Sequence, residues 1–104
     1  MSKKQLTVDD RDRVLRFGIA LAHQLRITVL MAHARGGAAS ATMLADDGLG
    51  TLGNISYHQV KLRELGALKL VGSRPKQGAV ERRYDLSDFG REIVKTAVTI
   101  GRKR

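Results

Sequence analysis

The spacing of apolar positions changes along the chain, and those changes divide it into elements. Val14, Leu15, Gly18, Leu21 and Leu25 recur at intervals of three and four, which predicts an amphipathic helix with a core-facing stripe. Thr7 stands where an N-cap belongs, and Asp9, Asp10 and Asp12 follow in the first turns, where the helix dipole favours acids. Arg11, Arg13 and Arg16 fall on the wet side. A second helical run, Leu25, Val29, Leu30 and Ala34, ends at the paired glycines of "RGG", Arg35 to Gly37. Ser40 caps a short helix containing Met43, Leu44 and Ala45, which breaks at "DDGLG", Asp46 to Gly50. Thr51 caps the next helix, about residues 51–65, and Gly66 stops it.

Beyond Gly66 the period falls to two. "ALKLVGS" sets Leu68, Leu70 and Gly72 against Lys69 and Val71, and "AVERRYDL" sets Val80, Arg82, Tyr84 and Leu86 against Glu81, Arg83 and Asp85. Between them "RPKQG", Arg74 to Gly78, holds the only proline and reverses the chain. Residues of about 67–86 therefore read as a hairpin with a basic tip. Ser87 caps a last helix, about residues 87–100, whose Phe89, Ile93, Ala97 and Ile100 share one face, either for core packing or for a dimer surface. A short helix, a glycine turn, a longer helix and a hairpin make the plan of a winged helix-turn-helix. The expected fold is α+β, about five helices with a two-stranded β-hairpin wing, as one domain over residues 1–104.

Charge narrows the partners. Nineteen Lys and Arg against ten Asp and Glu give +9 and a pI near 10.7, which points to a polyanion, either nucleic acid or an anionic membrane surface. No stretch approaches the ~18 apolar residues of a membrane span, and no apolar run follows Lys3 and Lys4, so the expectation is a soluble cytoplasmic protein with no membrane partner. The absence of cysteine excludes disulfides and thiolate metal sites. His23 and His33 stand ten apart with no carboxylate at ligand spacing, so no metal is expected. The chain shows no Ser/His/Asp set, no paired carboxylates and no phosphate-cradling loop, which argues against an enzyme and against a cofactor. "GLGTLGN" has no strand before it and is not a dinucleotide fingerprint.

Four segments together carry a resemblance: "LAHQLRITVL" (Leu21 to Leu30), "ISYHQVKLRELGAL" (Ile55 to Leu68), "GAVERRYDLS" (Gly78 to Ser87) and "LSDFGRE" (Leu86 to Glu92). In order and spacing the chain resembles winged helix-turn-helix transcriptional regulators of the ArsR and MarR type over roughly Leu21 to Glu92. The resemblance implies a small DNA-binding regulator, a repressor rather than an activator, paired as a homodimer through its N- and C-terminal helices. Three departures stand out. Gln24 occupies the place of a usual proline, Gln59 that of a usual leucine, and no cysteine is present for thiolate metal sensing.

On a wheel of about 100° per residue, Thr51, His58, Gln59, Leu62 and Gly66 fall near Ile55. Gly53, Tyr57, Val60 and Glu64 oppose them, and Ser56, Lys61 and Arg63 flank the outward face. His58 is therefore expected to be a hydrogen-bonded structural residue. The candidate major-groove set is Thr51, Leu52, Gly53, Asn54, Ser56, Tyr57 and Val60. Asn54 can pair with an adenine edge, while Leu52 and Val60 offer apolar contact to thymine methyls. The candidate backbone and wing contacts are Lys61, Arg63, Arg74, Lys76, Gln77, Arg82 and Arg83. With no arginine on the outward face, base discrimination should be modest and tilted toward A and T. A rival reading is a winged helix used as a protein-interaction module with nonspecific nucleic-acid contact. RNA binding lacks its usual sign, because Phe17, Tyr57, Tyr84 and Phe89 form no stacking platform along the sequence.

Overall fold

The computed structural model describes residues 7–102; Lys3, Lys4 and the basic tail residues Lys103 and Arg104 lie outside them. The elements are α1 (Val8–Ala20), α2 (Gln24–Gly36), β1 (Ala39–Ser40), α3 (Ala41–Asp46), α4 (Leu52–Glu64), β2 (Leu68–Lys76), β3 (Ala79–Leu86) and α5 (Asp88–Arg102). They form an α+β winged helix in which a three-stranded antiparallel sheet, ordered β1-β3-β2, packs beside the helices.

The caps sit where local chemistry puts them. Thr7 Oγ1 accepts the Asp10 N–H and Asp10 Oδ2 accepts the Thr7 N–H, closing a capping box on α1. Ser40 and Thr51 take the N–H groups of Met43 and Asn54. The missing proline at residue 24 does not fuse the first two helices. His23 replaces it, its Nδ1 accepting the Leu25 N–H at 3.0 Å, and α1 and α2 diverge by 96°. At the end of α4, Gly66 adopts φ 84°, and the bonds Gly66 N to Arg63 O and Ala67 N to Leu62 O turn the chain straight into β2.

The wing spans the expected residues, but β2 runs further and the turn is tighter than the sequence pattern implies. Its strands pair from Leu68↔Leu86 to Lys76↔Ala79, so Arg74, Pro75 and Lys76 belong to β2 rather than to a loop. Only Gln77 and Gly78 make the turn, both with positive φ, as a two-residue hairpin of this twist requires. Pro75 is tolerated because β2 is an edge strand. A bulge between Leu70 and Gly72 inserts Val71 and breaks the expected alternation, leaving both Leu70 and Val71 exposed. The wing also gains a third strand, β1, through Ala39↔Tyr84 and Ser40↔Arg83. Two residues carry no readable period.

Val29, Leu30, Leu44, Ile55, Leu62, Leu68, Tyr84, Leu86 and Ile93 make the core. Of the expected stripe only Leu21 and Leu25, beyond the end of α1, pack against it. Val14 is 59% and Leu15 65% exposed, and Gly18 is exposed too, while Phe17 and Ala20 turn inward. Two of the three arginines read as the wet side meet α5 instead: Arg13 pairs with Glu92, and the guanidinium of Arg16 lies 4.8 Å from the Phe89 ring centroid. Phe17 meets Phe89 edge-on at 5.2 Å. In α2, His33 rather than Ala34 is buried, and on α5 the stripe runs from buried Ile93 out to exposed Ile100.

Helix α5 can reach the sheet because residue 90 has no side chain. A Cβ on Gly90 would lie 2.0 Å from the carbonyl oxygen of Ala67. Gly90→Ala should therefore lower stability by about 3 kcal/mol through forced backbone displacement, read as a lower urea midpoint at unchanged slope. An unshifted midpoint would contradict this packing.

Candidate nucleic-acid interface

Helix α4 divides as the wheel requires. Ile55, His58, Gln59 and Leu62 are buried, whereas Leu52, Gly53, Asn54, Ser56, Tyr57 and Val60 are exposed. Thr51 is exposed as well, its hydroxyl oxygen taken up in the cap. Two polar contacts set how α4 is rotated against the core.

The first centres on His33. Its Nδ1 lies 2.9 Å from the Gly37 carbonyl and must carry the proton there, which leaves Nε2 as an acceptor for Gln59 Nε2 at 3.2 Å. The same amide reaches the Ala39 carbonyl at 3.4 Å. Gln59, the residue that departs from the family's usual leucine, thus ties α4 to α2 and β1. The second centres on His58, whose Nδ1 accepts the Arg26 Nε–H at 3.1 Å. His58 is structural, as the wheel implies. Its ring stacks 4.5 Å from that of His23, but the pair is poorly suited to a metal. Each Nδ1 already accepts an N–H, so each neutral ring carries its proton on the Nε2 that would have to bind.

Between α4 and the wing runs an open cleft of about 740 Å³. It gathers Leu52, Gly53, Ser56 and Val60 from α4 with Lys76, Gln77 and Arg82 from the wing. Asn54, Tyr57 and Arg63 stand exposed on α4 outside it, and Arg83 is exposed on β3 but does not line it. Lys61 is half-buried, 3.4 Å from Glu64 and 5.5 Å from the Tyr57 ring centroid, which makes it a less available phosphate ligand. Arg74 lies outside the cleft lining, and its Nε donates to Glu81 at 2.8 Å.

Three cleft features escape a reading of periods. Ser40 and Thr42 enter the lining from the start of α3, a position fixed by β1 pairing. Glu81 is buried at the floor beside Tyr84. The bond from Arg74, then that from Ser40, holds the Glu81 carboxyl below its ordinary pKa. An acid set among the cations of the outer wing was the available signal.

No family model and no curated protein matches the chain. Among solved structures, the AntR antimony-specific transcriptional repressor superposes with a TM-score of 0.69 at 20% identity, over 97% of this chain and 89% of that one. An ArsR family transcriptional regulator superposes at 0.59 and 22% identity, over 89% and 90%. The chain has the ArsR-type winged-helix fold. In that ArsR-type framework α3 and α4 are the helix-turn-helix and β2-β3 the wing. Among the described residues no single helix is long and apolar enough to cross a membrane.

Both buried histidines titrate below the ordinary value of 6.5, His33 through burial, and His58 through burial followed by repulsion from His23 and Arg26. The unfolded chain therefore takes up more protons than the folded one just below pH 6.5, and stability must fall as pH drops through that window. Above pH 6.5 these two groups add no slope. Urea midpoints at a series of pH values should show this decline, and His33→Gln should reduce it. Equal midpoints at pH 7.5 and about 5.5 would contradict the assignment of both rings as neutral.

Proposed function

We propose that this chain is a small transcriptional regulator that binds double-stranded DNA with sequence preference, acting as a repressor and as a homodimer. The observation that carries the reading is the cleft itself. The bare N-terminal half of α4, with small and hydroxyl side chains, stands beside a hairpin bearing Lys76 and Arg82. That pairing suits a helix end in a major groove flanked by phosphate contacts. The repressor named among the structural neighbours supports it, as does the charge of +9. Antimony specificity is not carried over, because the chain has no cysteine for a thiolate site.

The dimer reading rests on the face of α1 that is left uncovered among the described residues. Val8, Val14, Leu15 and Ile19 are exposed, and Ile100 of α5 is exposed with them, an apolar area of the kind that marks an association surface. A two-fold pair would place its α4 helices about 10 bp apart, or a multiple of that, on a near-palindromic site.

The interaction-module reading keeps one argument, the apolar side chains Leu52, Val60 and Val80 along the cleft. Selection from a random DNA pool separates the two, since a module enriches no sequence. With the selected duplex, log K should fall against log salt with a slope of about −5, for about six neutralised phosphates. Asn54→Ala should then relax the preference at one base pair by about 1 to 3 kcal/mol, and unchanged selectivity would take Asn54 off the reading surface.

A charge on the free face of α1 tests the dimer. Leu15→Glu should move the protein to monomer mass in light scattering and weaken operator binding by about tenfold or more through lost bivalency. A dimer of undiminished stability would refute this interface.

A further inference from the structure

Glu81 is the one acid in the outer part of the wing, residues 73–83. That part otherwise carries Arg74, Lys76, Arg82 and Arg83, yet this acid is only 8% exposed and lines the cleft that a polyanion would enter. Left unpaired there it would repel phosphate. Three side chains hold it. Arg74 Nε donates to Oε1 at 2.8 Å, Ser40 Oγ donates to Oε2 at 3.0 Å, and Lys76 Nζ lies 3.6 Å from Oε2. The Ser40 oxygen also accepts the Met43 N–H and so caps α3. One carboxylate thereby joins both long strands of the wing to the helix-turn-helix.

The contacts leave the outer donors free. Arg74 engages Glu81 through Nε, and its two Nη groups make no hydrogen bond among the described residues. The Arg74 and Lys76 side chains remain 68% and 45% exposed above a carboxylate that is 6% exposed. Long cationic side chains give up rotamer freedom when they seat on a partner, and side chains already held give up less.

We propose that Glu81 is a positioning residue of the wing, resting on the DNA-binding reading above: it pre-orders Arg74 and Lys76 as phosphate ligands and anchors the wing to α3 through Ser40. Charge counting alone predicts the reverse sign. Removing an acid raises the net charge by one, which should tighten binding to a polyanion and steepen its salt dependence. Positioning predicts weaker binding in spite of the added charge.

The test is Glu81→Gln, which keeps the side chain's shape and can still meet Ser40. Its binding to a fluorescein-labelled duplex is followed by anisotropy over a series of salt concentrations. The variant should bind about five- to tenfold more weakly than wild type. In an Arg74→Ala, Lys76→Ala background the same change should leave binding unchanged or tighten it, because nothing remains to be positioned. Equal or tighter binding of Glu81→Gln in the otherwise native protein overturns the role of Glu81 and leaves the DNA reading standing. Wild type that binds no duplex at any salt overturns both. A measurement on the native chain alone covers a variant that fails to fold. The Arg74 Nε–H resonance should exchange with water more slowly than that of Arg83, and equal exchange overturns the proposal.

Discussion

Everything on the proposed DNA face depends on how α4 is rotated. The helix must bury one side in a small core while its other side stays bare, and 13 residues of mixed polarity do not define that rotation by hydrophobicity alone. Ile55 and Leu62 supply two apolar anchors. Gln59 and His58 supply directional ones, since hydrogen bonds to His33, Ala39 and Arg26 are satisfied at one rotation only. A slip of one residue, about 100°, would strand those groups unpaired in the interior, at a cost of about 1 to 3 kcal/mol each. Polar burial here defines orientation more than it adds stability.

Parts of this architecture follow from neighbouring residues, and those parts were legible. Thr7, Ser40 and Thr51 cap helices through atoms three residues away, so the information is local. The inner and outer faces of α4 were legible in outline because Ile55 and Leu62, two turns apart, mark one side, although the polar bonds that lock the rotation were not. What depended on packing partners was not. The stripe of α1 has the period of a core helix, but period says nothing about which partner covers it. In the folded chain α5 takes the arginine and Phe17 side and leaves Val14 and Leu15 bare. Likewise the polar pairing of Gln59 with His33 spans 26 residues and has no local signature.

The electrostatics show a similar limit. A charge of +9 describes the whole chain, yet function depends on which cations are free. Lys61 shares Glu64 and Tyr57, Arg13 pairs with Glu92, and Arg16 is folded against Phe89 and Asp12. The wing cations keep outward donors although Arg74 and Lys76 share one carboxylate. Local charge on the cleft wall is therefore smaller and better ordered than composition implies, a combination that lowers the entropy lost on seating at the expense of long-range attraction.

Connectivity links the two exposed surfaces. Helix α1 is tied to α5 by the Arg13–Glu92 pair, the Phe17–Phe89 contact and the Arg16 guanidinium, and to α4 and α2 by the bonds of Arg16 to the Leu65 carbonyl and of Arg26 to the Ile19 carbonyl. Helix α5 is in turn seated on the end of α4, because Gly90 allows it to touch Ala67 and Ser87 bonds to Gly66. In the proposed dimer, the spacing between two α4 helices is then set by a short chain of rigid contacts rather than by a flexible linker. A change that tilts α5 on Ala67 would alter that spacing without touching any DNA-facing side chain. Control of binding in such a molecule would be exerted most directly at the α1 and α5 contact, where a small rotation is carried to both clefts at once.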